Sequence, residues 1–129
     1  MKEIQNKLTT ATKSTNPNVQ RGCELTSQSV GKLAKFLEVT FADDPAMLQV
    51  AARDFAFSLA RCYMASLLLE QAAWDEAMAH DATIAVRWCE QDLIPAVTNH
   101  SYGYYDKKNI AMDTSIVMDG YTNKPLSKM

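Results

Sequence analysis

Histidine, the side chain best suited to moving protons near neutral pH, occurs at two positions, His80 and His100. Neither has a Cys, His or carboxylate at the spacing of a zinc ligand set, so both read as exposed loop residues. Carboxylate pairs stand at Asp43-Asp44 and Asp75-Glu76. Such pairs can divide acid and base work, but these flank helix starts and a connection, where capping and solvation account for them. There is no Gly-x-Ser-x-Gly elbow, and nothing pairs a nucleophile with a base. Arg53, Arg61 and Arg87 carry the right charge for a phosphate, yet they lie among acids on helices and read as solvated faces. Trp74, Trp88 and the tail tyrosines could stack on a ligand; at helix edges they are better explained as packing. Cys23, Cys62 and Cys89 include no close pair and fall on apolar helix faces, so they are expected to be small buried hydrophobes. The four glycines, at 22, 31, 103 and 120, are too scattered to build a phosphate-cradling loop.

These residues must be held by helices. Asn16-Pro17 is a helix start, a side-chain cap followed by Pro at the first helical position. From there Val19, Cys23, Thr26, Val30, Leu33, Ala34, Leu37 and Phe41 follow at steps of three and four, one stripe of a long helix. Asp44-Pro45 repeats the start signal. The second helix carries Leu48, Ala51, Ala52, Phe55, Leu59, Cys62, Ser66 and Leu69 on one face. Ala56, Tyr63 and Leu67 cover another face, and Met64 and Leu68 a third. Polar residues are left a narrow strip through Arg53, Asp54, Ser58 and Arg61, the pattern of a helix covered on several sides. Asp81 is expected to cap a third helix with Ala82, Ala85, Val86, Cys89 and Leu93 on one face, ended by Pro95. Residues 1–15 read as a loose polar arm, and residues 99–129 as an extended tail with aromatic anchors. The fold class is therefore all-α: a three-helix bundle, or a four-helix bundle lacking one member, over residues 16–98.

The 129 residues amount to one domain, with 47% hydrophobic and 22% charged residues, a globular balance. A net charge of -2 argues against nucleic acid or an anionic membrane as partner. The longest uncharged run of the apolar helix, Cys62 to Leu69, is too short to span a bilayer, and the N-terminus lacks the apolar stretch of a signal peptide. The second helix has more apolar circumference than two neighbours cover easily. Either the chain self-associates or it is a piece of something larger, and Phe55, Phe57, Leu59, Tyr63, Leu67 and Leu68 form the candidate docking surface.

The segment from Ala51 to Ala73, AARDFAFSLARCYMASLLLEQAA, followed by Ala85 to Leu93, AVRWCEQDL, resembles the extreme C-terminal helical region of AidB-type acyl-CoA dehydrogenase-like flavoproteins. The shared pattern is a long Ala/Leu-rich helix, a short loop, and a helix with an aromatic–Cys pair, here Trp88-Cys89, covering roughly residues 25–95. The resemblance implies an intact protein that binds FAD and oxidises acyl-CoA through a core lying upstream of such a region. No position here matches that core's catalytic Glu or its flavin ligands, so no catalytic or cofactor-binding residue is carried over, and the isolated chain is expected to bind neither cofactor nor metal. Ser127-Lys128-Met129 is similar to a Ser-Lys-Leu peroxisomal address with Met in the last place; without that signal the expected location is the cytoplasm.

Three functions follow from this reading. The first is a non-catalytic helical domain that packs on a flavoprotein dehydrogenase core or stabilises a homo-oligomer. The second is a fragment of an FAD-dependent acyl-CoA dehydrogenase, an oxidoreductase acting on CH–CH bonds. The third is an AidB-like DNA-binding module, which the acidic balance disfavours.

Overall fold

A computed structural model describes residues 1–119. Among the described residues there are six helices and no strand, in agreement with the all-α expectation: α1 (Lys2–Ala11), α2 (Pro17–Asp43), α3 (Pro45–Ala72), α4 (Asp81–Cys89), α5 (Pro95–Ser101) and α6 (Lys107–Val117). Helices α2 and α3 form a hairpin about the single residue Asp44, and α1, α4 and α5 pack around it. Ser127, Lys128 and Met129 lie outside the described residues.

The start of α2 is as the sequence dictates. Asn16 Oδ1 accepts from the Asn18 amide at 2.9 Å, and Pro17 occupies the first turn, where its missing N–H costs nothing. Asp44 sits at the N-cap of α3, but its side chain makes no capping bond. Asp81 does not cap α4 as expected either. It is the first helical residue, and its carboxylate accepts from the Met78 amide at 2.8 Å, tying down the preceding turn instead.

The stripe of α2 holds as far as Leu33: Val19, Cys23, Thr26, Val30 and Leu33 are buried. It then continues through Phe36 and Thr40, which are buried, while Leu37 and Phe41 are exposed. Spacings of 4, 3, 4, 3, 3 and 4 follow the winding of a helix packed lengthwise against a neighbour. Gly22 is the point of closest approach. A Cβ there would stand 2.6 Å from Leu69 Cδ2, whereas nothing lies within 4 Å of one placed on Gly31. The two glycines should therefore respond oppositely to alanine. Gly31→Ala is expected to raise stability by about 0.5–1 kcal/mol through helix propensity. Gly22→Ala should lower it, because overpacking a closed site costs about 1–3 kcal/mol and exceeds the propensity gain. Thermal unfolding followed by circular dichroism checks both signs.

The expected N-terminal arm is a helix over Lys2–Ala11. Ile4, Leu8 and Ala11, at steps of four and three, are its buried strip against the hairpin. The threonines that suggested a loop are absorbed: Thr9 and Thr10 hydroxyls donate to the carbonyls of Gln5 and Asn6 one turn back, at 2.9 and 3.1 Å. Ten residues are too few for a stable free helix in water. Packing, fastened by the Lys7 Nζ–Glu70 pair at 3.2 Å, supplies the rest. This helix fills the place of the bundle's missing member.

The expected extended tail also differs. Residues 95–101 form α5 and residues 107–117 form α6. Pro95, read as the stop of α4, stands in the first turn of α5. Tyr105 is buried while Tyr102 and Tyr104 are exposed. Helix α6 buries no residue and packs against none of the other helices.

Candidate docking face

The apolar circumference of α3 divides into two faces. Ala51, Ser58, Cys62, Ala65, Ser66 and Leu69 are buried against the rest of the bundle. On the opposite side Val50, Phe57 and Met64 stand at intervals of seven, followed by Leu67, and their side chains are 39–49% exposed. A seven-residue interval keeps side chains on one side of a helix and is the seam by which one helix lies along another. Of the six residues proposed from sequence, the structure brings Phe57, Leu67 and the half-buried Leu68 onto this outer side, and Tyr63 onto its flank. Phe55 and Leu59 pack against the core and line no part of this side; Leu68 and Trp88 also touch the core from their inner edges. Val50, Met64 and Trp88 also belong with the outer set, the first two signalled in the sequence by their seven-residue interval from Phe57.

Trp88 joins the face from α4. Its indole N–H donates to the Arg61 carbonyl at 3.1 Å, which lays the ring along α3. Met64, Leu67, Leu68 and Trp88 together line an open apolar groove of about 240 Å³. At one edge the Arg53 guanidinium sits 5.4 Å from the centre of the Phe57 ring, a cation–π contact. At the other, Arg61 Nη1 donates to the Asp92 carbonyl at 2.8 Å. The arginines are thus engaged singly, and they do not converge on a common anion site.

The polar strip of α3 is divided: α5 docks on Asp54 and Ser58, while Arg53 and Arg61 stay exposed. Ser58 is wholly buried; its hydroxyl donates to the Asp54 carbonyl at 2.7 Å and accepts from the Ala96 amide at 3.1 Å. The Asp54 carboxylate accepts from the Tyr105 hydroxyl and, at 3.1 Å, from Asn99 Nδ2. Burial, with this carboxylate holding the phenol proton, pushes Tyr105 up to about 12. Asp54 and Ser58 thus form a polar latch between α3 and the segment after Leu93.

The other candidate chemistry disperses. His80 is exposed at the start of α4, and His100 lies on α5 with its ring edge-on to Phe36, centroids 5.2 Å apart. A concavity of about 490 Å³ is lined in part by Glu70, but that carboxylate is engaged by Lys7. No group of three or more His, Cys, Asp or Glu among the described residues is placed to hold a metal ion. All three cysteines are buried and free; burial pushes Cys23 and Cys62 up to about 11, so they stay protonated thiols at neutral pH. No helix among the described residues is long and apolar enough to cross a membrane. Every buried side-chain N or O is already hydrogen-bonded within the described chain, and the backbone approach at Gly22 is filled by Leu69.

Comparison with known proteins gives one match. The model of a family described as acyl-CoA dehydrogenase 11 C-terminal domain-like matches residues 1–118. No curated protein and no solved structure matches.

Proposed function

This chain belongs to the acyl-CoA dehydrogenase 11 C-terminal domain-like family, and from that premise we propose that it is a non-catalytic helical module whose outer α3 face packs against a flavoprotein dehydrogenase core. The observation that carries the reading is the exposed seam of Val50, Phe57, Met64 and Leu67 with Trp88 beside it. A lengthwise apolar seam bounded by Arg53 and Arg61 has the apolar centre and polar rim of a protein interface. In this reading FAD and the oxidation of a CH–CH bond belong to the core, while the module supplies rigidity and a second wall.

The test replaces Phe57 and Leu67 with Asp. Both are already half in water, so circular dichroism and the unfolding midpoint should change little, by about 0.5 kcal/mol or less. Co-expressed with the acyl-CoA dehydrogenase core of the same organism, the native chain should co-purify with it and the double variant should not. Equal recovery of the two would refute the reading.

An antibody raised to residues 45–95 and used on an extract of the source organism separates the two ways such a module can be supplied. A band near 14.4 kDa indicates a stand-alone subunit, and a band several times heavier a covalent tail of the enzyme. Fatty acyl-CoA oxidation of this kind would be served by peroxisomal delivery through Ser127-Lys128-Met129. A fluorescent protein ending in residues 120–129 should enter peroxisomes, and Lys128→Glu should leave it in the cytosol; diffuse fluorescence of the native sequence counts against the address.

A further inference from the structure

The turn between α3 and α4 and a groove beside α2 carry opposite charge. From Cys62 to Val86 the sequence contains Glu70, Asp75, Glu76 and Asp81 and no Lys or Arg. The turn exposes Trp74 by 54% and Met78 by 75%, with Asp75 and Glu76 exposed between them. The turn has a defined shape: the Ala77 amide donates to the Trp74 carbonyl at 3.0 Å, and the Met78 amide to Asp81 Oδ2 at 2.8 Å.

Between them, α2 and α5 leave an open groove of about 230 Å³. Its floor is apolar, made by Phe36, Val39 and Val97, and Lys32 and Lys35 form its rim. The His100 ring braces Phe36 from the side. Among the described residues neither lysine has an ion-pair partner, and Glu38 is the one acid between Gly31 and Ala42. The groove therefore asks for an apolar side chain flanked by carboxylates, which is what the 74–78 turn offers.

A molecule cannot satisfy this with its own turn. The contact of Gly22 with Leu69 sets the N-terminal part of α2 beside the end of α3 from which the turn emerges. Lys32 to Val39 lie 10 to 17 residues further along α2, which at 1.5 Å per residue is about 15–25 Å away. We propose that the Trp74-Asp75-Glu76-Ala77-Met78 turn of one copy docks in the Lys32/Lys35 groove of a second copy of this chain, Trp74 or Met78 entering over Phe36 and Val97 while Asp75 and Glu76 meet the lysines. The contact joins different surfaces, head to tail, so it closes into a ring or continues as a chain of copies. It uses none of the outer α3 seam and stands independently of the function proposed above.

Sedimentation velocity on the full 129-residue chain over rising concentration is the test. The average mass should climb above the 14.4 kDa monomer at low salt and fall back near 1 M salt, where charges are screened beyond about 3 Å. The variants K32E/K35E and D75K/E76K each change only exposed side chains, so both should keep the native circular dichroism, and each should weaken association by about tenfold or more. Mixed in equal amounts they should associate again, since every reversed groove then finds a reversed turn and every native groove a native turn. The F57D/L67D chain should still associate. Overturning results are a monomer at all concentrations, association that either reversal leaves intact, or a mixture that stays monomeric.

Discussion

Leu69→Ala is expected to lower the unfolding free energy by about 2–5 kcal/mol, the range for truncating a fully buried leucine whose surroundings collapse only partly. Leu69 has no exposed surface. It lies where α2 comes closest to α3, its Cδ2 within 2.6 Å of where a Gly22 Cβ would be, and the Cys89 Sγ of α4 borders the same spot at 3.4 Å. Removing the side chain thus opens a cavity where three helices meet. A domain of this size is stable by about 5–15 kcal/mol in total, so the variant should unfold at a much lower denaturant midpoint with an unchanged slope. Leu67→Ala, two residues away on the outer face and 39% exposed, is the control and should shift the midpoint by about 0.5 kcal/mol or less. A similar loss at both positions would mean that the outer seam is buried in the native particle. The same measurement on the double variant Gly22→Ala/Leu69→Ala has a further consequence: the added methyl enters the space the leucine leaves, so its cost should shrink or change sign relative to Gly22→Ala alone.

The hairpin was readable because its core faces are long and regular. Five successive buried positions of α2, from Val19 to Leu33, and the buried Ala51, Cys62 and Leu69 of α3 were on the expected faces. The reading failed where two registers compete. After Leu33 the sequence offers Leu37 and Phe41 on one side and Phe36 and Thr40 on the other. Hydrophobicity alone chooses the first pair. The molecule uses the second, because α5 lies there and brings His100 against Phe36. Short helices were missed for a related reason: α1 signals itself with three apolar residues in ten, and α5 is seven residues long and opens on a proline that also looks like a stop.

The docking face was legible only in part. An apolar helix too wide for its neighbours can be recognised by counting, and Phe57, Leu67 and Leu68 were named from that count. Which side faces inward depends on partners distant in the sequence. Phe55 and Leu59 turn inward because α3 is packed from the side of Ser58 and Cys62 as well. Ser58 itself, buried with both its hydrogen-bonding roles filled, finds its partner amide at Ala96, 38 residues away. A serine gives no sign of that in its local pattern; it reads as polar, and polar reads as wet.

Asp54→Ala is expected to free the segment from Pro95 to Tyr105 and to cost about 3 kcal/mol, because it strands two donors rather than one. The Tyr105 hydroxyl and Asn99 Nδ2 both end on Asp54 Oδ2, and Tyr105 is 5% exposed. Hydrogen bonds to an ionised acceptor contribute about 1.5–3 kcal/mol each, and a buried donor left unpaired costs about 1–3 kcal/mol. Tyr105→Phe should cost less than Asp54→Ala, since it removes one donor and leaves the carboxylate paired with Asn99 and half in water. Alkaline titration gives a second readout. The phenol, ordinarily near 10, is raised to about 12 by burial and by the Asp54 carboxylate that its proton binds. A folded state that holds a proton more tightly than the unfolded state gains stability while that proton is present. The contribution is therefore whole below about pH 10 and lost as pH rises through about 12. Asp54→Ala removes the carboxylate and loosens the segment that buries the ring, so its tyrosine should ionise closer to the ordinary value. In Tyr105→Phe that alkaline loss should vanish. Amide exchange over residues 95–105 locates the effect: protection should fall there first in Asp54→Ala, while α2 and the buried face of α3 keep theirs. Uniform loss of protection along the chain would show instead that the latch is part of the core's cooperative unit, with the cost felt by the whole bundle.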